Sequence, residues 1–239
     1  MSVLLEAKGL RAGYGMVSVV SDLNLTVSPG EVVTLLGANG VGKSTTLLTL
    51  AGSIPALGGE VCFDGKVTTA PLHRRAKLGM GFVSEQRSVF MGLTTDENLR
   101  VGRGDRDEAL LLFPELRSRL NVKAGLLSGG EQQMLSLARA LSRHPRVLLA
   151  DELSLGLAPK VVDRLLRAVR EAADRGVGVL LVEQHVRKVL GFADRGYVMR
   201  RGRIVLGGTA AELGARLAEI ESSYLSESVS TDGAPPVMF

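Results

Sequence analysis

The 239-residue chain has one cysteine, few aromatic residues and no long apolar run, and each shortage excludes something. Cys62 alone cannot close an internal disulfide, which fits a reducing compartment. The longest charge-free stretch, Ser44 to Gly59, is 16 residues and is interrupted by Gly, Ser, Thr and Pro55, too short and broken to span a bilayer as a helix. The opening MSVLLEAKGL has no basic region followed by an apolar core, so no secretory leader is expected. Aromatics make up 4% and are not interleaved with Lys and Arg, as stacking on nucleic-acid bases would require. What is present is a balanced, apolar chain: 45% hydrophobic, 29 Lys and Arg against 25 Asp and Glu, net +4. That composition excludes bulk disorder. At this length folding should bury roughly 70–75% of the unfolded surface. The chain reads as soluble and cytoplasmic. Its basic excess, carried by 22 Arg against 7 Lys, leaves nucleic acid, a phosphorylated ligand, an anionic membrane surface or no partner open.

No repeat of fixed period is visible. Apolar runs of strand length alternate with helical periods, which points to an α/β fold with a mainly parallel sheet covered by helices. Val32–Leu36, Met80–Val83, Val147–Ala150 and Val177–Val182 are the buried-strand candidates. Val3–Ala7, Val17–Val27 and Glu60–Phe63 are separated by turn residues such as Ser28-Pro29-Gly30 and Asp64-Gly65, suggesting an antiparallel β layer beside the main sheet. From Leu93 to Leu127 the pattern turns helical and charged, as in a small inserted helical subdomain. After Leu225, SESVSTDGAPPVMF reads as a disordered tail.

Val32–Leu36 runs directly into Gly37-Ala38-Asn39-Gly40-Val41-Gly42-Lys43-Ser44-Thr45, which matches G-x-x-x-x-G-K-[ST]. Glycines let the backbone curl so that successive N–H groups face one anion, and a helix starting near Lys43 presents its positive end there. Lys43 can reach β- and γ-phosphates, and the Ser44 hydroxyl suits Mg²⁺. A chance match is expected only roughly once per hundred chains of this composition. The motif points to a nucleotide.

A second apolar strand, Val147–Ala150, ends in Asp151-Glu152. An acid there can hold Mg²⁺, directly or through water, and its neighbour can polarise an attacking water. Taken alone, a strand ending in two acids is common. Upstream, Leu127-Ser128-Gly129-Gly130-Glu131-Gln132-Gln133 leads into the helical run MLSLARAL, either a second helix N-terminus suited to phosphate or a plain capped helix.

The order of these three elements is what decides. From about Val3 to Leu225 the chain resembles the ATP-binding subunit of ABC transporters, in which the phosphate loop, an LSGGQ-type signature and an Asp-Glu strand follow in this order. The resemblance implies a P-loop NTPase core with an N-terminal antiparallel β layer. It makes 1–225 the ATP-binding domain, with a helical subdomain inserted at about 93–143, and 226–239 the tail. It implies ATP and Mg²⁺ as ligands. It assigns Tyr14 to the adenine ring, Gly37, Ala38, Asn39, Gly40, Val41, Gly42, Lys43, Ser44 and Thr45 to the phosphates, and Asp151 with Ser44 to Mg²⁺. Glu152 looks like the catalytic base. Ser128, Gly129, Gly130 and Glu131 look like the signature that faces ATP held by another subunit, and Ser154–Ala158 sits where the dimer-communicating loop belongs.

Several positions depart from the family's usual pattern. Glu85 stands where most members place Gln, with Gln86 one residue later, so an anion replaces a neutral amide near Mg²⁺. Counting back from the ADRGYV segment puts Gln184 rather than His185 at the switch position; a Gln amide can bond a γ-phosphate but has no pKa near neutrality. Leu153 replaces the usual Pro, and Ala158 replaces a frequent Asp. With DELSLGLAP and VEQHVRKVLGFADRGYV, these residues resemble the branched-chain amino-acid uptake branch. That branch implies a second ATPase subunit (sister chain or copy), two membrane permease subunits, indirectly a solute-binding protein, and a peripheral place on the inner face of the cell membrane. A non-transport ABC ATPase acting on nucleic acid or ribosomes would carry long coiled-coil insertions, zinc motifs or two ATPase halves, none of which is visible here, so no nucleic-acid partner is expected. A module with a dead site is opposed by the presence of Lys43, Asp151 and Glu152. The arginines, among them Arg164, Arg167 and Arg170, then read mostly as solvated surface.

Overall fold

A computed structural model describes residues 3–86 and 88–228. Its elements are β1 (Leu5–Tyr14), β2 (Val17–Val27), β3 (Val32–Leu36), α1 (Lys43–Ala51), β4 (Gly58–Phe63), β5 (Lys66–Val67), α2 (Leu72–Lys77), β6 (Met80–Val83), α3 (Thr95–Gly102), α4 (Arg106–Leu112), α5 (Gly129–Leu141), β7 (Val147–Asp151), α6 (Pro159–Asp174), β8 (Gly178–Glu183), α7 (Val186–Leu190), β9 (Arg195–Arg200), β10 (Arg203–Thr209), α8 (Ala210–Ala215) and α9 (Leu217–Ser228).

β3, β7 and β8 are almost wholly apolar and buried at every position, as strands covered on both faces are. They form the middle of a six-stranded sheet, order β10-β9-β3-β8-β7-β6, parallel except where β10 folds back on β9. A four-stranded antiparallel sheet, order β2-β1-β4-β5, lies apart from it. α1 joins the two layers: Leu47 and Leu50 share one buried cluster with Leu5 and Leu23 of the small sheet and Val33 and Leu180 of the large one. Truncating either leucine to alanine in such a cluster costs about 2–5 kcal/mol. The other face of the large sheet is covered by α5 and α6 in a second buried cluster, which extends to Phe113 and Leu116 and to Leu99 of α3 and Leu110 of α4. Between β6 and β7 the chain is helical, as its charged pattern leads one to expect, with α3 and α5 each opened by a capping box.

Three differences from the sequence reading have physical causes. β1 does not stop at Ala7 but continues to Tyr14, because Gly9 takes φ +53 and the pairing with β2 shifts register there rather than ending. The hairpin of β9 and β10 goes unrecognised in sequence: Arg and Gly break its apolar runs, and its turn is Arg201-Gly202, both at positive φ (46° and 76°), a two-residue primed turn without the usual Asn-Gly signal. Nor are the arginines simply solvated. Arg164 lies over the Phe113 ring at 4.8 Å and pairs with Glu115, and Arg170 bonds Asp174, Asp194 and the Gly30 carbonyl. At the C-terminus α9 carries the backbone past Leu225 to Ser228; the rest of the expected tail, 229–239, lies outside the described residues.

Candidate nucleotide site

β3 delivers the chain at Leu36 into the 37–42 loop, and α1 starts directly at Lys43. Gly40 and Gly42 hold φ +82 and +105, and a Cβ on Gly42 would stand 2.9 Å from Val20 Cγ2, so glycine is required there for both reasons. Gly42 is the helix N-cap and, having no side chain, leaves the first amides of α1 to the loop concavity. Lys43 is 4% exposed, and its Nζ donates to the Gly37 carbonyl at 2.8 Å and the Ala38 carbonyl at 3.0 Å. Burial lowers its pKa, opposed by the charges of Glu152, Asp151 and Glu183.

Those acids arrive on neighbouring strands. The β7 end places Asp151 5% exposed, with its Oδ1 free of any hydrogen-bond partner and the Ser44 hydroxyl bonded to the carboxyl. Burial pushes this acid up to about 6; the Ser44 bond and Lys43 oppose the rise, while Glu152 and Glu85 add to it. A carboxylate oxygen left unbonded beside a hydroxyl suits a hard dication. No group of three or more His, Cys, Asp and Glu gathers for a metal among the described residues. A cation held here would therefore take its remaining oxygens from phosphate and water.

A cleft of about 300 Å³ is lined by Val19, Asn39, Gly40, Gly42, Lys43, Ser44, Thr45, Glu85, Glu152 and Leu155. It brings together most of the predicted phosphate residues with two of the predicted acids. Glu85 lines it and Gln86 does not. Gly37, Ala38 and Val41 complete the loop behind it. Tyr14 ends β1, half exposed, opposite Val17. Gln184 and His185 both line a different cavity, of about 410 Å³, together with Ser154, Leu157 and Pro159; Gln184 is half-buried at the end of β8 and His185 exposed. Ser128, Gly129, Gly130 and Glu131 line neither.

Those four residues open α5, and Glu131 has local work. Its Oε2 accepts the Ser128 N–H and hydroxyl, both at 2.8 Å, and its Oε1 accepts Arg119 Nε at 2.7 Å. Burial would raise this carboxyl, but the bonds from Arg119 and Ser128 outweigh it and hold it low. Sequence reasoning missed Glu183, which is 1% exposed and bonded to Ser154. The signal was an acid closing an otherwise apolar strand.

A parallel sheet whose first buried strand feeds a glycine-rich loop and helix, with two acids at the end of another strand, defines a P-loop nucleotide-hydrolysing protein. Residues 20–154 match the family described as ABC transporter, and the chain belongs to that family as one of its ATPases. It is 42% identical over 210 residues to the high-affinity branched-chain amino acid transport ATP-binding protein BraG of Pseudomonas aeruginosa, covering 84% of this chain and 90% of that one. It is 38% identical over 224 residues to the probable branched-chain amino acid transport ATP-binding protein LivF of Archaeoglobus fulgidus, covering 88% and 94%. It is 35% identical over 224 residues to the lipopolysaccharide export system ATP-binding protein LptB of Acidithiobacillus ferridurans, covering 89% and 93%. Among solved structures, an ATP-binding subunit of an ABC transporter superposes with a TM-score of 0.79 at 27% identity, covering 93% of this chain and 99% of that one. A dimeric bacterial ABC transporter cassette does so at 0.77 and 25%, covering 87% and 99%.

Proposed function

We propose that this chain hydrolyses MgATP to power import of branched-chain or other amino acids through separate membrane permease subunits, working with a second ATPase subunit and indirectly with a solute-binding protein. The observation that carries the reading is the 300 Å³ cleft, in which phosphate-loop amides, Lys43 and Glu152 face one space. No described helix is long and apolar enough to cross a membrane, which fits a translocation path built by other chains. The 42% identity to BraG favours amino-acid uptake over the lipopolysaccharide export named for the 35% relative.

The loop amides and Lys43 bind the β- and γ-phosphates, and Tyr14 stacks on adenine. Ser44 and Asp151, with Glu85 at the rim, would hold Mg²⁺, which supplies positive charge against the phosphate oxygens. Glu152 accepts a proton from the water whose oxygen attacks γ-phosphorus; the bond to the bridging oxygen breaks, leaving ADP and phosphate. Gln184 lines the neighbouring cavity and not this cleft, so no contact with the γ-phosphate is assigned to it. Ser128, Gly129, Gly130 and Glu131 of a second subunit close over the site, a dimeric arrangement supported by the dimeric cassette of the same fold.

Lys43→Ala is expected to lose nucleotide binding, measured by equilibrium titration. Glu152→Gln should bind ATP, barely hydrolyse it and accumulate as a dimer on size-exclusion chromatography; turnover at the wild-type rate would remove Glu152 from its role. Cargo is read from the permease that co-purifies from membranes and from uptake of labelled leucine, and a lipopolysaccharide-export assembly in that position would redirect the assignment.

A further inference from the structure

Glu152 stands at φ +45, in the left-handed region that side chains rarely adopt and that persists only where neighbours over-determine it. Its own N–H donates to the Val182 carbonyl at 2.9 Å, which fixes one side of the turn. Two residues on, Ser154 gives both of its donors to one carboxyl: its backbone N–H to Glu183 Oε1 at 3.1 Å and its hydroxyl to Glu183 Oε2 at 2.6 Å. Both residues are buried. Glu183 is the last residue of β8, paired in register with Leu36 at the mouth of the phosphate loop, and β8 lies directly between that strand and the one ending in Asp151. Between the two anchored residues stands Leu153, whose φ is unrestrained where a proline would be fixed near −65°.

We propose that Glu183 is a positioning residue for ATP hydrolysis: its carboxyl clamps Ser154 and so holds Glu152 in the left-handed turn from which it faces the cleft, supplying the stiffness that a proline at 153 would otherwise give. This rests on Glu152 being the catalytic base. Keeping a third acid beside Asp151 and Glu152 is costly, and burial, opposed by the Ser154 bonds, pushes Glu183 up to about 7. An apolar residue would serve packing better, so a purely structural role does not account for it. A competing account, that Glu183 acts through its charge on Lys43, is separable because glutamine keeps an acceptor and loses the charge.

The test is steady-state ATPase of the full-length chain, with KM and ATP affinity measured separately, for Glu183→Ala, Glu183→Gln, Ser154→Ala and the Glu183→Ala/Ser154→Ala double variant. Loss of the clamp should lower kcat about 10–100-fold in Glu183→Ala and Ser154→Ala, with KM and ATP affinity held within about twofold. The double variant should be no worse than Glu183→Ala, and Glu183→Gln should fall in between. Amide exchange should rise across 152–158 and stay unchanged across 37–45. Wild-type kcat in Ser154→Ala overturns the clamp, as does a KM that rises with the loss of kcat. A Glu183→Gln variant as slow as Glu183→Ala assigns the effect to charge and overturns it equally. Should Glu183→Ala not fold, Ser154→Ala, which removes one hydroxyl, decides. Glu152→Gln run alongside separates the two claims: wild-type turnover there sinks the catalytic-base reading, whatever the clamp variants do.

Discussion

A buried acid held by two hydrogen bonds and crowded by two other acids leaves a trace in the pH dependence of stability. Glu183 lies near Asp151 and Glu152, and near Lys43 on the phosphate-loop side. Its ordinary value is 4.5 and its folded value about 7, so the folded chain holds a proton there that the unfolded chain has released. The sign follows: its contribution is complete below about pH 4.5 and disappears as pH rises through about 7, on the order of 3 kcal/mol in all. Urea unfolding of the nucleotide-free chain at pH 5 and pH 8 should therefore show a loss of stability at the higher pH. Glu183→Gln, which cannot release that proton, should shrink the difference to the smaller part contributed by Asp151, pushed up to about 6; an unchanged difference would place the titration elsewhere. Individual acids of this kind are the least legible part of the sequence. VEQH reads as a strand end followed by a switch residue, and only the fold of the 152–158 turn brings Ser154 onto Glu183.

Among elements, those with local signals were readable and those made by tertiary context were not. β3 and β6 fall where apolar runs put them, and β2 does so between its turns. The phosphate loop is legible because its glycines answer local conformational needs. β9 and β10 are invisible because Arg and Gly interrupt their apolar runs: β9 is buried through its pairing with β3, while β10 forms the sheet edge with no fully buried position. The Ser128 segment was readable as a helix start but ambiguous in purpose, since Thr94 opens α3 with the same box: Thr94 accepts the Glu97 N–H at 3.2 Å, and Ser128 accepts that of Glu131 at 3.3 Å. Alanine at either position should cost about 1 kcal/mol of stability by denaturant unfolding. ATPase activity separates them: Thr94→Ala should keep it, while Ser128→Ala should lose it by more than its stability loss explains. Equal activities would reduce Ser128 to a cap.

At the scale of the molecule, the cleft holds one half of what the proposed chemistry uses. The phosphate loop, Glu85 and Glu152 line it, and the signature residues open a helix elsewhere. ATPase rate per chain should accordingly rise with protein concentration through the dimerisation range and then level off; a rate independent of concentration from the lowest dilutions would mean that one chain suffices. The arginines belong to this scale too. Arg75, 4% exposed, gives its donors to the carbonyls of Thr49, Leu50, Thr68 and Ala70, closing the C-terminal end of α1 against α2. Part of the basic excess that composition offered to an unknown anion is thus used as internal mortar.

Cys62 completes the picture from an unexpected side. It is buried in β4, across from Glu6 on one strand and Val67 on the other. The folded molecule thus presents almost no sulfhydryl to solvent, and it comes ready-made as a background for site-directed labelling. A fluorophore or spin label carried on a cysteine installed at Met16, 99% exposed beside Tyr14, would speak for that position alone, responding in real time to nucleotide only where the base stacks on Tyr14 as proposed.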